Sequence, residues 1–211
     1  MAKAPRQGHV KTRLAAVGSP SFVVRLYRAL IEDSVALGAT VRATVVIVCP
    51  PDDADEIGAW LGWNVRVVSQ RGRGLAEALA STFDILCADS RRVVAFNGDS
   101  PHLAPSVLES AFTALADHDL VTGPCDDGGY FLVGTTKPHP GLFTSAALGT
   151  GSALAALMSQ ARSLGLSTFQ TTEHFDVDVP ADLVRLAEEL AAAPERAPRT
   201  ACVLAGWRRM V

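Results

Sequence analysis

Short apolar runs alternate with longer amphipathic stretches along most of the 211-residue chain. The apolar runs end in turn residues, which is typical of strands buried on both faces of a sheet. The longer stretches carry apolar residues at helical spacing. We predict strands at 43–49, 64–68, 93–96, 119–123 and 130–134, a short strand within 163–170, and helices at 20–37, 52–61, 75–88, 105–116, 152–164 and 181–192.

This alternation predicts an α/β fold with a doubly wound, mostly parallel sheet, because helices separate most of the strands. We interpret residues 1–211 as one nucleotide-binding domain, since the length suits a single α/β domain. The Pro/Arg-rich stretch 194–211 is left as a C-terminal tail without an assigned element.

The central strand, 93–96, is followed by the turn residues Asn97-Gly98-Asp99-Ser100-Pro101. Ligands of open α/β sheets bind beyond the carboxyl ends of the strands, where Asp99 is expected. A carboxylate there is well placed to hold a divalent cation against phosphates, because hard cations prefer oxygen ligands. Alternatively, Asp99 only closes the turn or caps the helix near residue 105.

A polar loop from Lys3 to Arg13 precedes the first helix and contains Lys11 and Gly8. Lysine, arginine and exposed backbone amides at a helix-start loop suit a pyrophosphate. The alternative is a solvated basic segment, and the GxxxxGK[ST] phosphate-binding pattern is absent from the chain. Because the loop is polar, we expect truncation of Lys11 or Arg13 to change stability by no more than about 0.5 kcal/mol.

Two further loops contain candidate functional residues that the formation of a turn could explain equally well. In 70–74, Gly72 and Gly74 would let a flat nucleobase approach the backbone, or they only form a strand-to-helix turn. Asp127 lies in Cys125-Asp126-Asp127-Gly128-Gly129, and Asp-Gly is a favoured hairpin dipeptide.

The segment Phe175-Asp176-Val177-Asp178 places two carboxylates two residues apart in an extended stretch. Their side chains should therefore point the same way, and one or both could complete a metal site with Asp99. Asp178 is the expected ligand and Asp176 the fallback. Asp182 is explained as a favourable charge in the first turn of a helix.

Composition limits the possible partners. The formal net charge is −3 without a basic block, which argues against nucleic acid. No apolar run has the length of a membrane span, and no signal peptide opens the chain. The four cysteines form no CxxC pair, so buried thiols in a reducing compartment are expected. We therefore expect a cytoplasmic protein of undetermined oligomeric state.

Five segments resemble a known family and occur in its order: AKAPRQGHVKTRL, QRGRGL, FNGDSPHLAP, GPCDDGGYFLVG and FDVDVPADL. The family is the bacterial GT-A glycosyltransferase-like group of radical-SAM/selenodomain-associated or arsenosugar-biosynthesis transferases. The resemblance extends over about residues 2 to 190. It implies the Rossmann-like fold of nucleotide-diphospho-sugar transferases (GT-A), with Mg²⁺ or Mn²⁺ held by Asp99. It also implies that Lys3, Lys11 and Arg13 contact phosphates. Our further candidates for nucleotide binding are Pro5, Gly8, Gln70, Gly72 and Gly98.

The same segments are similar to MobA-like nucleotidyltransferases and phospholactate guanylyltransferases. In those families, aspartates that match Asp99 and Asp178 hold magnesium. The stretch Gly74-Leu75-Ala76-Glu77-Ala78-Leu79 is closer to the nucleotidyltransferases, and Leu148-Gly149-Thr150-Gly151-Ser152 lacks the Trp of the transferase family's WGTS. That family also has a hydrophobic strand before AKAP, whereas here AKAP follows Met1 directly. We therefore expect at most a short strand at Met1 to Ala4, beside 93–96.

Our leading hypothesis is a metal-dependent glycosyltransferase that moves a sugar from a nucleotide-diphosphate donor to a small acceptor. Asp99, Lys11 and Asp127 are its candidate catalytic residues, with Asp127 on the acceptor side. The alternative is a nucleotidyltransferase that joins an NTP to a phosphorylated small molecule and releases pyrophosphate. A third possibility is a degenerate fold retained as a partner-binding subunit.

Overall fold

The computed structural model describes residues 1–62, 65–144 and 151–207. Seven helices and six strands form in these ranges, together with short 3-10 helices at Thr12–Val17, Pro51–Asp53 and Pro194–Arg196. The helices are α1 (Pro20–Thr40), α2 (Ala54–Leu61), α3 (Gly74–Leu86), α4 (Pro105–Ala114), α5 (Ala153–Ser163), α6 (Pro180–Ala192) and α7 (Pro198–Trp207). The strands are β1 (Val46–Cys49), β2 (Arg66–Ser69), β3 (Val93–Phe96), β4 (Leu120–Pro124), β5 (Tyr130–Thr135) and β6 (Thr168–Gln170).

Every predicted strand and helix has a counterpart, and the α/β fold class is confirmed. The boundaries differ by a few residues, and the predicted start of the second strand at Asn64 lies outside the described residues. The stretch without an assignment, 194–211, contains α7. Its Pro/Arg-rich start conceals the helix because Pro198 occupies the first position, where a proline costs no hydrogen bond.

The chain forms two compact units, of which the first contains the described residues of Met1–Val67, Gly98–Pro105 and Asp176–Val211. Its apolar core joins Tyr27 and Ile31 of α1 to β1 and α2, and it includes Ala2 and Val10 from the N-terminal segment. The structure has no strand at residues 1–4. The backbone amide of Ala2 instead donates to the carbonyl of Val48 in β1, at 2.9 Å.

Helix α7 packs against α1 in this unit. The rings of Phe22 and Trp207 stack at 6.3 Å, and the indole N–H of Trp207 donates to the carbonyl of Val17. The fully buried carboxylate of Asp33 accepts the backbone amide of Thr200 at 2.7 Å and that of Arg199 at 3.3 Å. A side chain from the middle of α1 therefore satisfies amides in the first turn of α7, which lack partners within their own helix.

The second unit contains Val68–Asn97 and Ser106–Phe175, and its sheet has the order β3-β5-β4-β6. Strand β5 is antiparallel to both β3 and β4, whereas β4 and β6 are parallel. This sheet is therefore mixed, and not mostly parallel as the alternation of strands and helices predicted. The reason is the tight turn between β4 and β5, where Gly128 has a φ of +85° and a Cβ would overlap the carbonyl oxygen of Gly151. Strands joined by so short a turn pair antiparallel.

Other features bear on the sequence-based expectations. Among the described residues, no helix combines the length and the apolar character needed to cross a bilayer. Cys49 and Cys125 are buried, Cys87 is half-buried and Cys202 is exposed.

The role of Asp33 can be tested by substitution. We expect Asp33→Ala to lower the free energy of unfolding by about 1.5–3 kcal/mol, since a charged acceptor is lost and buried amides are left without it. Urea denaturation would measure the change. Asp117→Ala, at an exposed site, is the control and should stay within about 0.5 kcal/mol of the parent. Equal effects of the two substitutions would contradict the assignment.

Candidate functional site

Asp99 lies three residues beyond β3, and its backbone aligns it with the segment before α6. The backbone amide of Val177 donates to the carbonyl of Asp99 at 3.1 Å. Val177 is fully buried, so its neighbours Asp176 and Asp178 project away from the core. Asp182 fixes this segment further, because its Oδ2 accepts the amides of Asp178 and Val179 at 2.9 and 2.8 Å.

Three half-buried carboxylates meet as a result. Asp99, Asp176 and Asp178 can each present an oxygen such that all three oxygens lie within 4.8 Å of one another. We call these residues the acidic cluster. Oxygen donors at this spacing fit a hard divalent cation such as Mg²⁺ or Mn²⁺. The sequence-based expectation made Asp176 only a substitute for Asp178, whereas the structure brings both to Asp99.

Lys11 reaches into the acidic cluster from the N-terminal loop. Its Nζ lies 2.9 Å from Asp99 Oδ2, 2.9 Å from Asp178 Oδ1 and 2.6 Å from the carbonyl oxygen of Val177. The side chain is only 6% exposed. Burial lowers the pKa of Lys11, but the nearby Asp99 and Asp178 carboxylates more than offset this, and the net pKa is raised above its ordinary value.

The backbone of Lys11 is held in an unusual conformation. Its φ of 45° and ψ of 44° are left-handed. Among the described residues, Lys11 is the only non-glycine residue with a positive φ. This conformation costs an L-residue about 1–2 kcal/mol. Such strain persists where the surrounding contacts fix the residue, as the ion pairs do here. The expectation that Lys11 behaves as an ordinary surface residue is therefore not supported.

Arg13 differs from Lys11 in its surroundings. Its side chain is 67% exposed, and its Nη1 lies 3.4 Å from Asp178 Oδ2. The contact is long, and an exposed ion pair contributes little to stability. Arg13 therefore remains a cation at the rim of the acidic cluster that can turn toward a ligand at little cost.

Backbone contacts hold the start of the loop from Lys3 to Arg13, which we call the basic loop. The amide of Lys3 donates to the Tyr27 hydroxyl at 2.8 Å, and that hydroxyl donates to the Lys3 carbonyl at 3.1 Å. Burial raises the pKa of Tyr27, so its hydroxyl keeps the proton that this pairing needs. The Lys3 side chain is exposed, Pro5 is buried, and Gly8 is exposed with a φ of +74°.

Arg6 has a structural role in the basic loop. Its guanidinium pairs with Asp53 at 2.9 Å and with Glu56 at 2.8 Å. The hydrogen bond to Glu56 contributes most to raising the pKa of Arg6. Asp53 also accepts the amide of Ala4 at 3.0 Å, so the start of the loop is fastened to the segment that leads into α2.

Gly98 has a packing role that the sequence did not reveal. A Cβ at this position would overlap Cδ1 of Ile31 in α1. The missing side chain therefore lets the backbone before Asp99 pass close to the helix. Its expected contact with a nucleotide stays a prediction.

Gln70, Gly72 and Asp127 belong to the second unit. Gly72 has a φ of +83°, and a Cβ there would overlap the Glu77 side chain, whose carboxylate accepts the Arg73 amide at 2.7 Å. Asp127 Oδ1 accepts the Gly129 amide at 2.7 Å, which is the local turn bond typical of aspartate. Both residues thus have structural roles in their turns. Their expected roles in binding and catalysis, like that of Gln70, stay predictions.

Sequence reasoning missed the residues that support the site. The sequence explains Asp182 only as a favourable charge in the first turn of a helix, although its carboxylate also fixes the backbone of Asp178. Tyr27 and Asp53 lie 24 and 49 residues from the backbone amides that they hold. No local pattern signals such long-range pairs. The DVDVPAD spacing, with its carboxylate four residues after Asp178, was the signal available for Asp182.

Solved structures resemble this fold. A proposed nucleotide-diphospho-sugar transferase from Desulfovibrio desulfuricans G20 is 27% identical, with a TM-score of 0.88 over 98% of this chain and 95% of that one. A 4-diphosphocytidyl-2C-methyl-D-erythritol synthase from Anaerococcus prevotii DSM 20548 is 14% identical, with a TM-score of 0.56 over 77% of this chain and 86% of that one.

The protein Rv0371c from Mycobacterium tuberculosis H37Rv is 16% identical, with a TM-score of 0.53 over 89% of this chain and 93% of that one. The similarity to the Desulfovibrio protein supports the general GT-A-like superfamily, and all three similarities show the α/β fold. No curated protein matches the chain significantly.

A family model matches residues 34–150, which is more than half of the chain. The matched region contains the FNGDSP and CDDGGY segments. The chain therefore belongs to the family described as "Uncharacterized protein conserved in bacteria (DUF2064)".

Proposed function

We propose that this protein is a nucleotide-dependent transferase that moves a sugar from a nucleotide-diphosphate donor to a small acceptor, with Mg²⁺ or Mn²⁺ as cofactor. The observation that carries the proposal is the meeting of Asp99, Asp176 and Asp178 beside the buried ammonium of Lys11. The structural similarity to a proposed nucleotide-diphospho-sugar transferase is in keeping with it.

The charge balance of the site supports this ligand class. Three carboxylates face the two cations Lys11 and Arg13, which leaves one net negative charge when all five are ionised. Asp99 and Asp178 would hold the divalent ion, with Asp176 as a third oxygen donor. When bound, the ion would act as a Lewis acid that neutralises charge on the diphosphate oxygens.

In the proposed reaction, the acceptor hydroxyl forms a bond to the anomeric carbon of the sugar. The bond from that carbon to the diphosphate breaks, its electron pair goes to the diphosphate oxygen, and the hydroxyl proton goes to a base, for which Asp127 is the candidate. Arg13, being exposed, can turn toward the growing negative charge. Lys11 keeps the carboxylates in place.

Nucleotidyl transfer is the second candidate, and the GLAEAL sequence at the start of α3 favours it. A phosphorylated small molecule would then attack the α-phosphate of an NTP, and pyrophosphate would leave. Both reactions load negative charge onto a departing diphosphate group. The acidic cluster with its cations suits either of them.

Ligand-induced stabilisation tests the proposal and separates the two reactions. UDP-, GDP- and dTDP-sugars and the four NTPs would be compared in thermal melts with and without Mn²⁺. A ligand at 100 times its Kd stabilises the folded state by about 2.7 kcal/mol. We expect a sugar nucleotide to stabilise in the presence of Mn²⁺. An exclusive response to an NTP, with pyrophosphate release, would favour the second candidate, and no response at all would favour a partner-binding subunit.

The carboxylates of the acidic cluster should control metal-dependent binding. We expect Asp99→Asn to abolish the Mn²⁺-dependent stabilisation by nucleotide and Asp178→Asn to weaken it, because each removes a charged oxygen donor. Circular dichroism would check that both variants fold. Asp117→Asn, an exposed control in the second unit, should behave as the parent. Full Mn²⁺ dependence in Asp99→Asn would contradict the proposed metal site.

Arg13 should act on the ligand and not on stability. We expect Arg13→Ala to weaken nucleotide binding by about 1.5–3 kcal/mol, as for a lost hydrogen bond to a charged group. Its free energy of unfolding should change by no more than about 0.5 kcal/mol, because the side chain is 67% exposed. Calorimetric titration would measure the affinity. Arg25→Ala, at an exposed position of α1, is the matched control; an unchanged affinity in Arg13→Ala would remove Arg13 from the site.

A further inference from the structure

Lys11 has no ammonium hydrogen left over for a ligand in this structure. An ammonium group has three donors. Its three acceptors are Asp99 Oδ2, Asp178 Oδ1 and the carbonyl of Val177, at 2.9, 2.9 and 2.6 Å. The side chain is also almost fully buried. The expectation that Lys11 contacts the nucleotide phosphates therefore conflicts with the bonds that Lys11 makes.

The same geometry gives Lys11 a different task. The two carboxylate oxygens that it contacts belong to residues of the acidic cluster, which can present three oxygens to a cation. Without a cation, carboxylates this close repel one another. The ammonium group offsets this repulsion and ties Asp99 to Asp178, although 79 positions separate them in the sequence.

We propose that Lys11 is a positioning residue: it acts as an internal counter-ion that holds Asp99 and Asp178 together when no cation is bound, and it makes divalent-cation binding depend on the diphosphate ligand. This inference rests on the metal site of the proposed function. A divalent ion that enters alone must share its carboxylate oxygens with a fixed ammonium group and is repelled by it. A diphosphate adds negative charge and oxygen ligands, which offset that repulsion. Metal and nucleotide should therefore bind together.

Removal of the positive charge should reverse this dependence. Methionine keeps an unbranched side chain and the same left-handed backbone cost but has no charge. We therefore expect Lys11→Met to bind Mn²⁺ alone at least tenfold more tightly than the parent, and to gain less Mn²⁺ affinity from nucleotide. A residue with only a structural role would give the opposite sign, because a loosened site binds metal less tightly.

The experiment is a titration of the full-length protein with Mn²⁺, in which electron paramagnetic resonance measures the free ion. It would be run with Mn²⁺ alone and with Mn²⁺ plus UDP or GDP, against protein-free controls that correct for the metal bound by nucleotide. Lys11→Arg, which retains the charge, should bind Mn²⁺ alone as weakly as the parent does. Lys137→Met removes an exposed lysine of the second unit and should leave the Mn²⁺ affinity unchanged.

Each outcome decides the inference. Tighter binding of Mn²⁺ alone by Lys11→Met, but not by Lys11→Arg, supports it. Unchanged or weaker Mn²⁺ binding in a folded Lys11→Met, while the parent binds Mn²⁺ with nucleotide, overturns the inference and leaves the proposed function standing. Absence of Mn²⁺ binding by the parent under every condition overturns both. If Lys11→Met does not fold, Lys11→Gln provides the same neutral comparison.

Discussion

The ion pairs of Lys11 are the interaction on which the rest of the candidate site depends. A buried ammonium group is tolerated only when its charge and its hydrogens are matched, and here two carboxylates and a carbonyl match them. These contacts join the N-terminal loop, the turn after β3 and the segment before α6. The left-handed backbone at Lys11 is the cost of that convergence. Without the ammonium group, the acidic cluster would contain mutually repelling charges.

Helix α1 supplies the platform behind this convergence. Tyr27 holds the backbone of Lys3, and Ile31 fills the space that Gly98 leaves open before Asp99. These two residues are one helical turn apart and therefore lie on one face. Asp33, further along the same helix, satisfies the first amides of α7. One helix thus positions both the basic loop and the turn that contains Asp99.

The sequence predicted the elements and the acidic residues because both follow from local periodicity. The alternation of Asp176, Val177 and Asp178 placed the two carboxylates on one side of an extended segment. Burial of Lys11 was not predictable in this way, since a polar loop reads as solvated until distant carboxylates are brought to it. The pairing of β5 with β3 likewise depends on tertiary order, and the Pro/Arg-rich start of α7 is not typical of a helix. What the sequence could not supply were contacts between residues far apart in the chain.

Under the proposed function, the acidic cluster would select a class of leaving group and not a class of acceptor. In sugar transfer and in nucleotidyl transfer alike, the group that departs carries the growing charge of a diphosphate, and the same carboxylates and Arg13 would meet it. Discrimination must therefore come from residues that contact the base and the acceptor. In the second unit, Glu77 and the Gly129 amide brace the turns at Gly72 and Asp127, whose roles in binding and catalysis stay predictions. Rigid turns lower the conformational entropy that is lost on binding, so substitutions that loosen either turn should weaken any ligand contact that the turn makes.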